Sequence, residues 1–153
     1  MRTMMILAML TAPVWAGGIR VVVSDPAGNV EAQQNHAVMV AEITACLPGA
    51  KTAMSATAEG IVDGVRKTIP LRVMALAKQG TFAVAREWPL EGKWALILVA
   101  SYPGHKGFAS SVIIPADKDT FRWDAKQEFY HVPTNAEVAA ILNQDNAARA
   151  SIN

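Results

Sequence analysis

The chain has 153 residues, of which 52% are hydrophobic, with 14 Lys and Arg against 13 Asp and Glu. That length suits one domain with a sizeable core. The near-neutral balance, without a run of like charges, excludes an acidic or basic tail and an electrostatic footprint for nucleic acid or an anionic membrane.

Residues 1–16 read as a signal peptide. Arg2 is the positive start, Met4-Met5-Ile6-Leu7-Ala8-Met9-Leu10 the short apolar stretch, and Val14-Trp15-Ala16 the small-residue cleavage site before Gly17. The stretch is far below the roughly 20 residues that span a bilayer. Export would leave a mature chain starting at Gly17 or Gly18, secreted or periplasmic, with no membrane span. Arg2 is the only charge in the removed segment, so cations fall from 14 to 13 and equal the 13 acids.

The mature chain divides into a sandwich at 17–132 and a helical tail at 133–153. Residues 18–24 are rich in β-branched side chains and predict a strand, stopped by Asp25-Pro26-Ala27-Gly28-Asn29. Residues 37–46 predict a second strand, ended by Leu47-Pro48-Gly49; their periodicity alone would also allow a short helix. Cys46 closes this run. As the only cysteine it forms no internal disulfide, and it is expected buried as a small hydrophobe rather than as a free thiol or an intermolecular bridge. Residues 52–59 are small and polar and lead to an Asp63-Gly64 turn. Over 66–74, Ile69, Leu71 and Val73 alternate with Thr68, Pro70 and Arg72, which predicts one half-buried strand. Pro70 cannot donate to a ladder, so that strand belongs at a sheet edge.

From Gly80 to Val99 the pattern is strand, short Pro/Gly-punctuated turn, strand. Phe82 and Val84 alternate with Ala83 and Ala85. Trp88-Pro89 and Gly92 make the connection, and 94–99 is almost wholly apolar, as in a central strand. Tyr102-Pro103-Gly104-His105-Lys106-Gly107 is a loop. Residues 108–114 predict the last strand, stopped by Pro115. The segment 117–132 is mixed and aromatic; Trp123, Phe129 and Tyr130 would either dock it on the sheet or form an exposed patch. Thr134-Asn135-Ala136-Glu137 is a capping box, and Val138, Ile141 and Leu142 share one helical face. Residues beyond about Gln144 are expected to fray.

Gly80-x-Phe82-x-Val84, Trp88-Pro89 and Gly92-x-Trp94-x-Leu96 together resemble small exported bacterial immunoglobulin-like domains of the YtkA-like and FixH-like kind. The resemblance covers about a third of the mature chain. It implies an all-β, Greek-key sandwich of seven or so strands in the bacterial envelope. Some members of those families stand beside metal-transport systems.

No assembled chemical site accompanies the pattern. His36, His105 and His131 lack metal-typical spacing, and Met39, Met54 and Met74 sit among apolar neighbours. Asp117, Asp119 and Glu128 echo a calcium loop, but Phe121 and Arg122 stand where it needs a side-chain oxygen and a glycine. Ser101, Ser110 and Ser111 lack a nucleophile elbow. The expectation is a non-catalytic domain with no cofactor that binds or scaffolds an envelope protein or glycan. Candidate surface residues are Tyr102, His105, Lys106, Trp123 and Tyr130. A copper-handling accessory domain using His, Met or Cys46 is the alternative.

Overall fold

Short β-branched runs and frequent turns build ten strands among the described residues of the computed structural model, which are 18–45, 51–104 and 107–150. In chain order these elements are β1 (Ile19–Ser24), α1 (Val30–Gln34), β2 (Ala37–Ala45), β3 (Ala53–Val62), β4 (Val65–Pro70), β5 (Val73–Ala75) and β6 (Thr81–Ala85). There follow β7 (Lys93–Ser101), β8 (Ala109–Asp117), β9 (Thr120–Phe121), β10 (Gln127–Phe129) and α2 (Asn135–Ala150). The signal-like segment 1–16 and Cys46 lie outside the described residues.

The strands form two antiparallel sheets. One has the order β1-β2-β6-β5; the other runs β10-β8-β7-β3-β4, with β9 pairing on β8. Lettered in chain order, β1 to β8 give A-B-E-D facing G-F-C-C′, the strand order of an immunoglobulin-like sandwich. The expected class, an all-β sandwich with a C-terminal helix, is the one observed. β9 and β10 extend it beyond strand G. Where antibody domains join strands B and F by a disulfide, β2 and β7 contribute Met39, Ala41, Leu96 and Leu98 to the shared core.

Packing between the sheets rests on size matching across β3 and β7. Ala56, Ala58 and Gly60 stand opposite Leu98, Leu96 and Trp94. The Trp94 indole lies so close over Gly60 that a Cβ there would sit 2.4 Å from its Cε3. Its Nε1 donates to the Glu91 carbonyl at 2.9 Å, so the one polar atom of the ring is satisfied. Burying a ring of this size is worth about 4–6 kcal/mol. A Cβ on Gly92 would approach the Ile61 carbonyl to 2.6 Å, so this turn also packs tightly on β3.

Each sheet is also covered over part of its outer face. α1 begins at Asn29, whose side chain accepts from the Ala32 N–H at 2.9 Å, and it seals Ala32 against Val40, Leu76 and Ala83. α2 lays Val138, Ile141 and Leu142 on Ala95, Ile97 and Ile113. Coverage on both sides explains why β8 is buried along nearly its whole length.

Several expected boundaries move. Of residues 52–59, not predicted as a strand, all but Thr52 belong to the ten-residue β3. The run 66–74 is two strands in different sheets. Pro70 ends β4, which is an edge strand as expected, and the chain then crosses over. Leu71 N–H still bonds the Ala56 carbonyl of one sheet, while the Arg72 carbonyl accepts from Ala85 at the end of β6 in the other. β6 and β7 likewise lie in opposite sheets; residues 86–92 cross between them and bury Trp88.

Pro115 does not stop β8. Its carbonyl accepts from Arg122 N–H, so its missing donor also faces away from β7, beyond the end of β10. The short helix at 30–34 had no counterpart among the expected elements. α2 extends to Ala150, past Gln144. The Asp63-Gly64 turn is as expected: both residues have positive φ, 51° and 77°, as a two-residue hairpin loop requires.

Gly60→Ala should lower stability by about 1–3 kcal/mol, because the buried indole and the Lys93 carbonyl leave the new methyl no room. Gly28→Ala, where nothing lies within 4 Å, should change it by no more than about 0.5 kcal/mol. Urea unfolding followed by tryptophan fluorescence measures both; equal effects would contradict the interlock.

Candidate functional site

The β7–β8 ladder runs to the Ser101–Ala109 pair and then opens into the loop that begins Tyr102-Pro103-Gly104 and ends Gly107-Phe108. Around it lies a cleft of about 400 Å³, lined by Tyr102, Pro103, Phe108, Ala109 and Val132 together with Ser101 and the two glycines. Tyr102 is buried, whereas Phe108 is 57% and Val132 60% exposed. An apolar concavity with two large exposed hydrophobic side chains among its lining is suited to holding another apolar group.

The Val132 side of the cleft is held from both directions. Upstream, β10 pairs with β8 through Phe129 and Ser111, and the buried Ser111 hydroxyl donates to the His131 carbonyl at 2.7 Å. Downstream, Thr134 and Glu137 close the expected capping box. Thr134 N–H donates to the Glu137 carboxylate at 2.7 Å, and Glu137 N–H donates back to the Thr134 hydroxyl at 3.3 Å. His131 Nε2 lies 3.0 Å from the same carboxylate. The backbone and hydroxyl donors of Thr134, aided by His131, hold the Glu137 carboxyl below its ordinary pKa.

Beyond the cleft, β10 also ties the two sheets together along one open side. Arg20 of β1 bonds Glu128 at 3.0 Å, and Lys126 lies 3.3 Å from the same carboxylate. The Arg20 hydrogen bond is the main reason the Glu128 pKa is lowered; Lys126 adds to it and desolvation opposes it.

The five candidate surface residues do not form one patch. Tyr102 lines the cleft. His105 and Lys106 fall in the same loop but outside the described residues. Tyr130 is 77% exposed just after β10. Trp123 lies elsewhere, beside β9, which pairs with Ala116 and Asp117 at the far end of β8. There Trp123 packs half-buried with Phe121, whose ring meets Trp88 edge-on at 6.2 Å, while Arg86 stacks over Trp88 at 5.1 Å. The aromatic tail thus docks through Phe121, Trp123 and Phe129 and leaves Tyr130 outside. Two cleft residues were not singled out as surface candidates. Phe108 reads as the start of a strand, and Val132 shows no local signal beyond its place before Pro133.

Among the described residues no group of three or more His, Cys, Asp or Glu is arranged to hold a metal. Among the described residues the methionines are divided between layers: Met39 and Met54 belong to the core between the sheets, Met74 to the cluster under α1. The Ser111 hydroxyl meets His131 at its carbonyl, while the imidazole faces Glu137. A second cavity, of about 390 Å³, lies at the β8–β9 turn and is lined by Asp117, Lys118, Asp119, Thr120 and Arg122. Among the described residues no helix is long and apolar enough to cross a membrane.

The chain matches no protein-family model, no curated protein and no solved structure.

A lowered carboxylate pKa stabilises the folded state above the unfolded-state value, about 4.3–4.5 for Glu, and the gain is lost as pH falls through the folded value. Glu137→Gln should therefore be less stable than the parent at pH 7, with the gap closing as pH drops below about 4.5. Urea midpoints of both proteins across that range measure this; a gap that widens in acid would contradict the cap assignment.

Proposed function

We propose that this chain is a non-catalytic immunoglobulin-like domain of the bacterial envelope that binds a protein partner through the cleft at the β7–β8 end. The observation that carries this reading is the cleft itself, where Phe108 and Val132 stand exposed around an apolar concavity of about 400 Å³. In variable immunoglobulin domains the F–G loop at this end is one of the binding loops, which supports the assignment by analogy of architecture. A glycan partner would call for several polar side chains aimed into the site, and the lining is mainly apolar.

Export is part of the proposal and rests on the sequence. Arg2, the apolar stretch 4–10 and the Val14-Trp15-Ala16 site form the pattern of a cleaved leader. The resemblance to small exported immunoglobulin-like domains, carried by Phe82, Trp88-Pro89 and Trp94, points to the same compartment.

Two measurements test the two halves. Fractionation followed by N-terminal sequencing should find the chain in the envelope, starting at Gly17 or Gly18; an uncleaved cytoplasmic chain would contradict export. A photo-crosslinking residue at position 108 should give a discrete protein adduct in cells that is lost on Val132→Asp and absent from position 65, exposed on edge strand β4. Identical adducts from both positions, or none from position 108, would contradict the binding site.

A further inference from the structure

The cleft also holds main-chain groups that the fold leaves unused. In an antiparallel sheet, alternate residues turn both N–H and C=O toward the same neighbouring strand. Tyr102 N–H donates to the Phe108 carbonyl, so the even-numbered residues of β8 bond β7 and the odd-numbered ones face the other way. On that side Ser111 and Ile113 pair with Phe129 and Gln127 of β10, and the Pro115 carbonyl accepts from Arg122 N–H. Ala109 is the remaining odd-numbered residue before the turn to β9. β10 ends at Phe129, and among the described residues no backbone bond reaches Ala109 from that side. The next residue of the same parity, Gly107, has a φ of 93° and belongs to the loop.

The chain leaves the place beside Ala109 open because it departs from the plane of the sheet. Val112 and Ile114 point into the core between the sheets, whereas Ile113 packs under α2. Ser111 shares the face of Ile113, and its hydroxyl donates to the His131 carbonyl at 2.7 Å. The segment after β10 is thus drawn over the outer face toward the start of α2 at Asn135. Ala109 stays half-buried in the cleft lining, together with Phe108 and Val132.

From this arrangement we infer that the cleft takes an extended segment of another protein, which continues the sheet past the end of β10, antiparallel to β8. The partner residue opposite Ala109 exchanges both main-chain bonds with it. The next partner residue lies opposite Phe108 and places a large apolar side chain in the concavity. The inference rests on the partner-binding reading above and adds the mode of recognition: main-chain bonds hold the segment and one side chain selects it. A donor and an acceptor on a single strand residue are complementary to another extended backbone, whereas a lipid tail offers neither.

The probe is acetyl-Ser-Gly-Val-Phe-Thr-Ser-amide, followed by NMR of the isotope-labelled protein purified from cells. In the free protein the Ala109 N–H should exchange about tenfold or more faster than those of Ser111 and Ile113, and the probe should slow it. A methyl on the probe's valine amide, which faces Ala109 in the bound segment, should weaken binding about fivefold or more. A methyl on its phenylalanine amide, which faces away, should change binding by no more than about twofold. Ala109→Pro removes the donor on the open side, as Pro115 does in the same strand, so the ladder to β7 and the Tm should hold. Binding of the probe should fall with it, and the position-108 adduct should be lost in cells. The methylated probes make the same test without altering the protein. An Ala109 N–H already protected in the free protein, equal binding of the two methylated probes, or no binding of any probe would overturn the inference. So would Phe108-dependent binding to phosphatidylglycerol vesicles in place of the probe, or a position-108 adduct formed with a second copy of this chain. If the adduct persists in folded Ala109→Pro, strand addition is wrong and the binding site stands; no adduct from position 108 of the parent removes the site as well.

Discussion

β7 is apolar on both faces, and the architecture is largely a response to that constraint. Trp94, Leu96, Leu98 and Ala100 face the opposite sheet, while Ala95, Ile97 and Val99 face the other way. Each fully buried aliphatic side chain of this kind is worth about 1.5–3 kcal/mol, against a net stability of about 5–15 kcal/mol for a typical domain. Leaving either face in water would consume much of that margin. The sheet built from β1, β2, β6 and β5 covers one face. A bare sandwich would expose the other, and α2 supplies the missing layer. The C-terminal helix is therefore part of the core rather than an appendage, and its capping box fixes where it starts.

The same constraint governs the strands beside β7. A tryptophan facing inward in a sheet needs a neighbour with almost no side chain, and Gly60 provides it. Ala56 and Ala58 do the same for Leu98 and Leu96. Close fit of large against small across a strand pair sets the register, because a slip by one residue would turn each inward side chain outward. On the other flank, β8 is buried from both sides and carries β10, whose continuation brings Val132 back to the β7–β8 loop. The cleft thus follows from the core. One of its sides is the loop closing the two most buried strands; the other is the short segment that must return from β10 to begin α2.

Much of this was legible in the sequence where the signal was local. The apolar run at 94–99, the Asp63-Gly64 turn, the edge-strand proline at position 70 and the Thr134–Glu137 box depend on residues near one another in the chain. The misread elements depend on partners far away. Ala53–Val62 has little intrinsic preference for a strand; its small residues make sense only opposite Trp94 and the two leucines. The switch of sheet at Leu71 and Arg72 keeps the alternation of an unbroken strand, so periodicity cannot reveal it. Pro115 seemed a terminator because its missing N–H is harmful only on the side where another strand would bond it, and that side is set by the fold. The cleft was half legible. The Tyr102 loop carries turn chemistry and two basic residues, but Val132 joins it through a ladder no local pattern encodes.

Burial of β7 between two layers is the claim on which the core, the helix and the cleft all depend. The most direct measurement is a set of proton–proton NOEs in the protein labelled at its Ile, Leu and Val methyls. Contacts from the Ile97 methyls to those of Ile141 and Leu142, together with contacts from the Trp94 ring to the Gly60 α-protons, are the predicted result. A well-dispersed spectrum in which Ile97 shows no contact with α2, or the Trp94 ring none with Gly60, would contradict the account.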